Sequence, residues 1–320
     1  MEMIEINNRI FTLFLINPLL TRKENFITTL FPMYKNFFLC YNAIMNKVSM
    51  KAYAKINLTL DIVEREESGM HLIDTVMQTI DLHDIVTVKK RKDKQVFCKT
   101  VKGREIENSN AEKAANLFVE TFDTNGVDIE IIRRIPIGAG LGGSSADAVA
   151  VLKAMALLYC IPFNQLVPLA EQLGSDTIFL LNGGLARCTG YGNVVEKLPP
   201  LDCLYVLVAV PEGEISTKDA YERYDVLKKQ PPRVRTDEIL EKLRVPRDVK
   251  MYTTNALTPA SIALMSQIND KIKALQDKDN LMVGMTGSGC AVFGLYKDLD
   301  AALNKMYELD FPTDVYAFVN

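Results

Sequence analysis

Along residues 51–63 (Lys-Ala-Tyr-Ala-Lys-Ile-Asn-Leu-Thr-Leu-Asp-Ile-Val) apolar and polar positions alternate and β-formers are frequent, so the stretch predicts a strand. A charged loop over 64–70 and a second strand over 85–90 follow. Residues 110–122 repeat apolar positions at helical spacing and predict an amphipathic helix. A strand over 128–135 feeds a glycine-rich loop, which passes into an alanine-rich helix over about 145–159. A short helix over 164–173 stops at Gly174-Ser175-Asp176, and the apolar stretch 177–181 and a Gly183-Gly184 turn lead into an extended 185–188. Beyond the Pro199-Pro200 pair, which marks a junction, the pattern predicts strand 204–210, a helix over 258–275, a glycine-rich loop over 285–289 and strand 290–296.

Residues 1–49 break with this pattern. They are rich in Phe, Leu, Ile and Asn, and their apolar run 10–20 is interrupted by Asn17 and Pro18, too short to span a bilayer. Glu2 and Glu5 precede it with only Arg9 as counterweight, and the first serine is Ser49, so neither a signal peptide nor a transit peptide is indicated. The natural start is expected at Met45 or Met50, leaving 1–49 as an extension outside the catalytic fold. An extra helical arm is the alternative reading of the same residues.

A chain of 320 residues has room for two sizeable cores. Its net charge of −3 and pI near 5.6 exclude a general binder of nucleic acid or anionic membrane, both of which demand basic excess. Six cysteines, at 40, 98, 160, 188, 203 and 290, form no Cys-x-x-Cys pair and no cluster with His71 and His83, the two histidines. That spacing suggests neither a zinc site nor a disulfide framework, and it points to a reducing compartment, the cytoplasm.

Chemistry is concentrated in residues 136–149, Pro-Ile-Gly-Ala-Gly-Leu-Gly-Gly-Ser-Ser-Ala-Asp-Ala-Val. Glycines at 138, 140, 142 and 143 let backbone N–H groups approach an anion, and the positive end of the following helix favours negative charge. The hydroxyls of Ser144 and Ser145 can add bonds to phosphate oxygens. A P-loop is excluded, because Ser144 follows Gly143 where that motif needs lysine. Gly138-x-Gly140-x-x-Gly143 matches the dinucleotide fingerprint, but residues 159–163 lack the carboxylate expected about 20 residues on. The third possibility is the pattern Pro-x-x-x-Gly-Leu-Gly-Ser-Ser-Ala, the ATP loop of the GHMP kinases, which this segment resembles closely. On the loop alone, a glycine-rich turn before a core helix stays open.

Two charges stand among apolar residues and need partners or a use: Lys55 in strand 51–63 and Asp176 in Leu-Gly-Ser-Asp-Thr-Ile-Phe-Leu. Their plain readings are a solvated strand lysine and a helix-capping aspartate.

Taken in order, the motifs resemble those of the 4-diphosphocytidyl-2-C-methyl-D-erythritol kinases within the GHMP superfamily. The resemblance is carried by Ala54-Lys55-Ile56-Asn57-Leu58, Gly69-Met70-His71, the run Met77 to Asp84, Gly138 to Ala146, Leu173-Gly174-Ser175-Asp176 and Met285-Thr286-Gly287-Ser288-Gly289. It runs from about Met50 to the C-terminus; homoserine and mevalonate kinases lack this set.

The resemblance implies a two-domain α+β fold. Residues 50–200 would form a ribosomal-protein-S5-domain-2-like domain and 201–320 a ferredoxin-like α/β sandwich, with the active site in the cleft between them. It further implies ATP and Mg2+, a small cytidine-diphosphate substrate, and a monomer or homodimer; magnesium ligands are not assigned. Asp176 matches the aspartate that takes the proton from the substrate 2-hydroxyl as it attacks the γ-phosphate. Lys55 matches the lysine paired with it. Pro136, Ile137, Gly138, Ala139, Gly140, Leu141, Gly142, Gly143, Ser144, Ser145 and Ala146 would cradle the phosphates, with Asn110 as a looser match in the nucleotide pocket. His71 matches a residue hydrogen-bonded to cytosine, and Tyr221 an aromatic stacked on it. Gly287, Ser288 and Gly289 form the third motif, expected to approach the phosphate loop.

Departures from the family pattern are specific. Met70 replaces the tyrosine of Gly-Tyr-His, which bears on substrate affinity more than on reaction type. Asp176-Thr-Ile-Phe stands for Asp-Val-Pro-Phe, Asn255-Ala256 for Asn-Asp, and the loop reads Gly-Gly-Ser-Ser-Ala-Asp for Gly-Gly-Gly-Ser-Ser-Asp at unchanged length. A GHMP kinase acting on homoserine or a mevalonate-like acid, or a nucleotide-binding regulator without catalysis, are the alternative functions.

Overall fold

The computed structural model describes residues 45–101, 108–201, 204–227, 236–244 and 255–320. The apolar run 10–20, Cys40 and Cys203 lie outside them. Residues Lys47–Asn320 form one compact unit.

Strand β1 (Lys47–Arg65) begins upstream of Met50 and pairs antiparallel along nearly its whole length with β2 (His71–Lys90). Alternation showed only the last part of β2, because the middle of this strand is buried on both faces and its apolar and polar residues do not segregate. Next come β3 (Phe97–Thr100), α1 (Asn110–Phe122) and β4 (Val127–Ile132). Helix α1 starts where expected. The Ser109 hydroxyl accepts from the Glu112 N–H at 3.1 Å, and the Glu112 carboxylate accepts from the Asn108 N–H at 2.7 Å, a reciprocal cap.

Helix α2 (Gly143–Tyr159) is buried on almost every side and packs on β1, β2 and α1, which is why its sequence is apolar throughout rather than amphipathic. A 3-10 turn (Phe163–Leu166) and α3 (Val167–Leu173) follow. The expected break at Gly174 is real, but the apolar residues beyond it form a new helix, α4 (Ser175–Asn182), because Gly174 at φ 149°, ψ 163° re-aims the chain. Strands β5 (Leu185–Gly190) and β6 (Val194–Lys197) complete the first sheet. In it β1 lines one edge of β2, while β4 and β5 share the other edge, at Ile85–Lys90 and Ile73–Gln78.

The second sheet follows with β7 (Tyr205–Ala209), then helices α5 (Thr217–Asp225), α6 (Thr236–Arg244), α7 (Thr258–Leu264) and α8 (Gln267–Leu275). The single helix expected over 258–275 is two, since Met265 is extended at φ −145°, ψ 96°. Strands β8 (Met282–Met285) and β9 (Val292–Tyr296), helix α9 (Leu299–Glu308) and β10 (Thr313–Ala317) end the fold. Strand order is β10-β7-β9-β8, all antiparallel, with α8 and α9 packed on this sheet.

Backbone bonds tie the first sheet to the segment before α7 and to the chain just after β10. The Ala256 N–H donates to Leu60 O at 2.8 Å and the Val319 N–H to Thr79 O at 2.9 Å. Among the described residues, no helix is long and apolar enough to cross a membrane.

Candidate active site

Lys55 and Asp176 come from different elements and meet. Lys55 is on β1, between two register shifts that bulge the strand at Tyr53/Lys55 and Asn57/Thr59; such bulges re-aim side chains. Asp176 sits in the first turn of α4 rather than at a cap, its helix held by the Thr177 hydroxyl, which donates to Ala170 O and Gly174 O. Lys55 Nζ lies 3.3 Å from Asp176 Oδ2, with the lysine side chain 5% exposed and the aspartate 26%. The lysine also donates to Asn57 Oδ1 at 2.7 Å. Neither charge is left alone in the apolar interior, where an unpaired one would be costly.

The glycine loop lies beside this pair. Lys55 N–H donates to Leu141 O at 3.0 Å, tying the loop to β1, and a Cβ on Gly142 would come within 3.0 Å of Lys55 Cγ. No side chain caps α2, so the N–H groups of its first turn remain available to an anion. The Ser145 hydroxyl is 4.0 Å from where a Cβ on Gly174 would stand, next to the start of α4.

Residues 287–289 close the loop from the other side. Ala291 N–H donates to Ala139 O at 3.0 Å. A Cβ on Gly140 would be 2.4 Å from Thr286 O, and one on Gly289 would be 2.3 Å from both Ala139 C and Gly140 N. The two loops therefore meet backbone to backbone, which glycine alone permits. Ser288 Oγ is 2.8 Å from Thr217 Oγ1, which brings the beginning of α5 to the same place.

His71 and Tyr221 also meet. Their rings are 4.8 Å apart and inclined by 32°, with Tyr224 edge-on to the imidazole at 6.2 Å. His71 Nε2 donates to Asp225 Oδ1 at 2.7 Å, and the other oxygen of Asp225 is 3.2 Å from Arg65 Nε. With the carboxylate as acceptor, Nε2 carries the hydrogen and Nδ1 is the nitrogen left to another partner. Burial pushes the Tyr221 phenol up from its ordinary pKa, and the charge of Asp176 adds to this, so the aromatic and the carboxylate share one field. Met70, beside His71, is 54% exposed. Asn110 is the first residue of α1 and has no hydrogen bond to the glycine loop among the described residues.

Two asparagines hold this centre together. Asn57 links it together: its N–H donates to Thr286 Oγ1 at 2.9 Å and its Nδ2 to Thr75 Oγ1 at 2.8 Å. Asn255 Nδ2 donates to Met285 O and Gly287 O at 3.0 and 2.8 Å, holding the third loop in shape. The signal for Asn57 was its i, i+2 spacing from Lys55, which puts both on one face of a strand. Asp225 could have been found as the i+4 partner of Tyr221 on a helix. Cys188, also within the field of Asp176 and Lys55, is an inert thiol, pushed up to about 12 by burial. Among the described residues no group of three or more His, Cys, Asp or Glu could hold a metal ion.

Comparison with known proteins identifies the family. Residues 109–186 match the GHMP kinases N terminal domain. The 4-diphosphocytidyl-2-C-methyl-D-erythritol kinase of Caldicellulosiruptor saccharolyticus is 37% identical over 262 residues, 79% of this chain and 90% of its own length. That of Clostridium tetani is 37% identical over 267 residues, 80% of this chain and 94% of its own. A crystal structure of 4-(cytidine 5'-diphospho)-2C-methyl-D-erythritol kinase superposes with a TM-score of 0.73 at 28% identity, covering 85% of this chain and all of that one. Homoserine kinase from Cytophaga hutchinsonii, at 21% identity and a TM-score of 0.58 over 84% of this chain and 95% of its own, shares the fold. An α+β GHMP-kinase fold, the paired lysine and aspartate beside a clamped glycine loop, and relatives alike over most of their length all agree: the chain belongs to the 4-diphosphocytidyl-2-C-methyl-D-erythritol kinase family of GHMP kinases.

Proposed function

We propose that this protein transfers the γ-phosphoryl group of ATP to the 2-hydroxyl of 4-diphosphocytidyl-2-C-methyl-D-erythritol, a step of non-mevalonate isoprenoid synthesis. The observation that carries the reading is the Lys55–Asp176 ion pair beside the uncapped start of α2. Asp176 accepts the proton of the 2-hydroxyl, the oxygen forms its bond to the γ-phosphorus, and the bond to the β-phosphate oxygen breaks to release ADP. Lys55, held by Asn57, steadies the negative charge spread over the transferring group. Phosphoryl transfer asks the protein mainly for positioning and electrostatic stabilisation, which a buried, doubly held lysine is suited to give. Residues 136–146 take the phosphates, clamped by 287–289. Magnesium arrives with ATP as part of the co-substrate, since it is commonly bound through phosphates with few protein ligands.

The cytosine is assigned to the space bordered by Met70, His71 and Tyr221. His71 Nδ1, the ring nitrogen not bonded to Asp225, is the one assigned to the cytosine. Residues 50–200 and 201–320 serve as the two domains in this reading, and the cytoplasm as its compartment, supported by the free state of all four described cysteines.

The direct test is ADP release with ATP and magnesium in the presence of the cytidine compound, homoserine, mevalonate, galactose or no acceptor. Strong preference for the cytidine compound is expected. Preference for another acceptor would overturn the substrate, and tight ATP binding without any turnover would overturn the enzyme. Tyr221→Ala is expected to raise KM for the cytidine substrate by about tenfold or more, the worth of one base stacked on an aromatic, with KM for ATP nearly unchanged. Equal changes in both constants would remove Tyr221 from the cytosine pocket.

A further inference from the structure

A second pair of acidic residues lies under the phosphate loop, outside the catalytic centre. Asp84 on β2 and Asp147 on α2 are 2% and 3% exposed. Asp84 Oδ1 accepts two backbone bonds, from Arg134 N–H at 2.5 Å and Ile135 N–H at 2.7 Å. These are the two residues immediately before Pro136, where the loop begins. Asp147 faces Asp84 within side-chain hydrogen-bonding reach, yet its Oδ1 has no partner.

Two ionised carboxylates cannot be buried against each other without large cost, so such a pair holds a proton. Asp84 needs its lone pairs for the two N–H groups, which leaves the proton on Asp147, where it can be donated to Asp84. We propose that Asp147 is a neutral carboxylic acid and a positioning residue: it donates to Asp84, fixes the Arg134–Ile135 backbone from which the phosphate loop springs, and spares the start of α2 a buried negative charge. The last part rests on the reading of residues 136–146 as the ATP site. Asp147 is the fifth residue of α2, about 6 Å along the axis from Gly143, so a charge there opposes an incoming polyphosphate. The groups facing Asp147 are Asp84 from β2, Arg133 from the segment after β4 and Cys98 from β3. Of these only Arg133 favours its ionised form, and burial and Asp84 outweigh it, pushing Asp147 up to about 8.

The proton has consequences that packing alone lacks. Because the folded value lies above the unfolded one, the folded protein retains a proton that the unfolded chain releases. Its stabilising effect is complete below the unfolded value near 4 and declines as pH rises through about 8. Asp147→Asn keeps a donor and has nothing to ionise. It is expected to match the wild type in ATP Kd at neutral pH within about twofold, and to gain thermal stability relative to it as pH rises from acid to about 8. The wild type should lose ATP affinity severalfold above that pH, and Asp147→Asn should not. Infrared spectroscopy reads the proton directly: the carbonyl band of a protonated carboxyl should be present in the wild type at neutral pH and absent in Asp147→Asn. If Asp147→Asn does not fold, Asp84→Asn serves: it removes the neighbouring charge and leaves the burial, so the alkaline loss of ATP affinity should set in at a lower pH than in the wild type.

A wild type without the band, or an Asn variant with the same alkaline loss of ATP affinity, overturns the proposal. Failure of the ATP reading would look different. The band would be present in a protein that does not bind ATP, which removes the electrostatic role and keeps the protonated pair.

Discussion

Asp176→Asn is expected to lower kcat by about two to four orders of magnitude, the usual worth of a positioned general base, while ATP binds as before. The substitution preserves shape, so α4 keeps its packing, and Asp176 makes no bond to the phosphate loop among the described residues. Lys55 is not stranded either, because it still donates to Asn57 Oδ1 at 2.7 Å. The effect should therefore appear in the chemical step. Single-turnover ADP formation, read beside a calorimetric ATP titration, separates the two. A kcat within tenfold of wild type would remove Asp176 as the base, and a parallel loss of ATP binding would show that it acts on the loop rather than on the acceptor hydroxyl.

Gly289→Ala is the second large effect expected. The added methyl would lie 2.3 Å from the backbone of Ala139 and Gly140, and neither atom is the end of a flexible side chain that could swing away. One loop has to retreat from the other, at a cost of about 1–3 kcal/mol or more in a packed interior. Retreat also moves the backbone N–H groups assigned to phosphate, so thermal stability and ATP affinity should fall together. Gly284→Ala is the control. It sits on β8, one strand before the same loop, and its new Cβ would meet only the Phe293 ring, at 3.6 Å, an ordinary contact. If the two variants behave alike, the close approach of the loops is not what holds the phosphate site.

What the sequence revealed and what it hid follow from physical causes. Helix α1 was legible to the residue because its ends carry local chemistry, a Ser109 cap and a left-handed Asp123. Strand β1 was legible for its alternation, and the phosphate loop for its glycines. The first part of β2 was hidden because a strand covered on both faces loses its period. Helix α4 was hidden because a short apolar stretch such as 177–181 fits helix or strand equally well, and only the conformation of Gly174 decides. At the site, Lys55 and Asp176 could each be flagged as charges in apolar company, but their meeting depends on β1 and α4 being neighbours in space. The roles of Asp225 and Asn255 were hidden for a related reason: each works by holding another group, and the spacing of Asp225 from Tyr221 gains meaning only once that group is known. The pairing of Asp84 with Asp147 belongs to the same class, since each alone reads as an ordinary polar residue.

The seam between the sheets also bears on the order in which the chain can fold. Ile80 in the first sheet is bridged to Phe318, the Gln78 amide donates to Val319 O at 2.9 Å, and Asp81 accepts from the Ala317 N–H at 2.9 Å. These contacts join residues more than two hundred positions apart. During synthesis, the early strands wait for partners that emerge near the end of translation, leaving part of β2 unpaired for most of that time. Contacts of such long range slow folding, and unpaired strand edges invite aggregation. A chain ending before residue 317 would lack these partners, and its first sheet would stay open at Ile80.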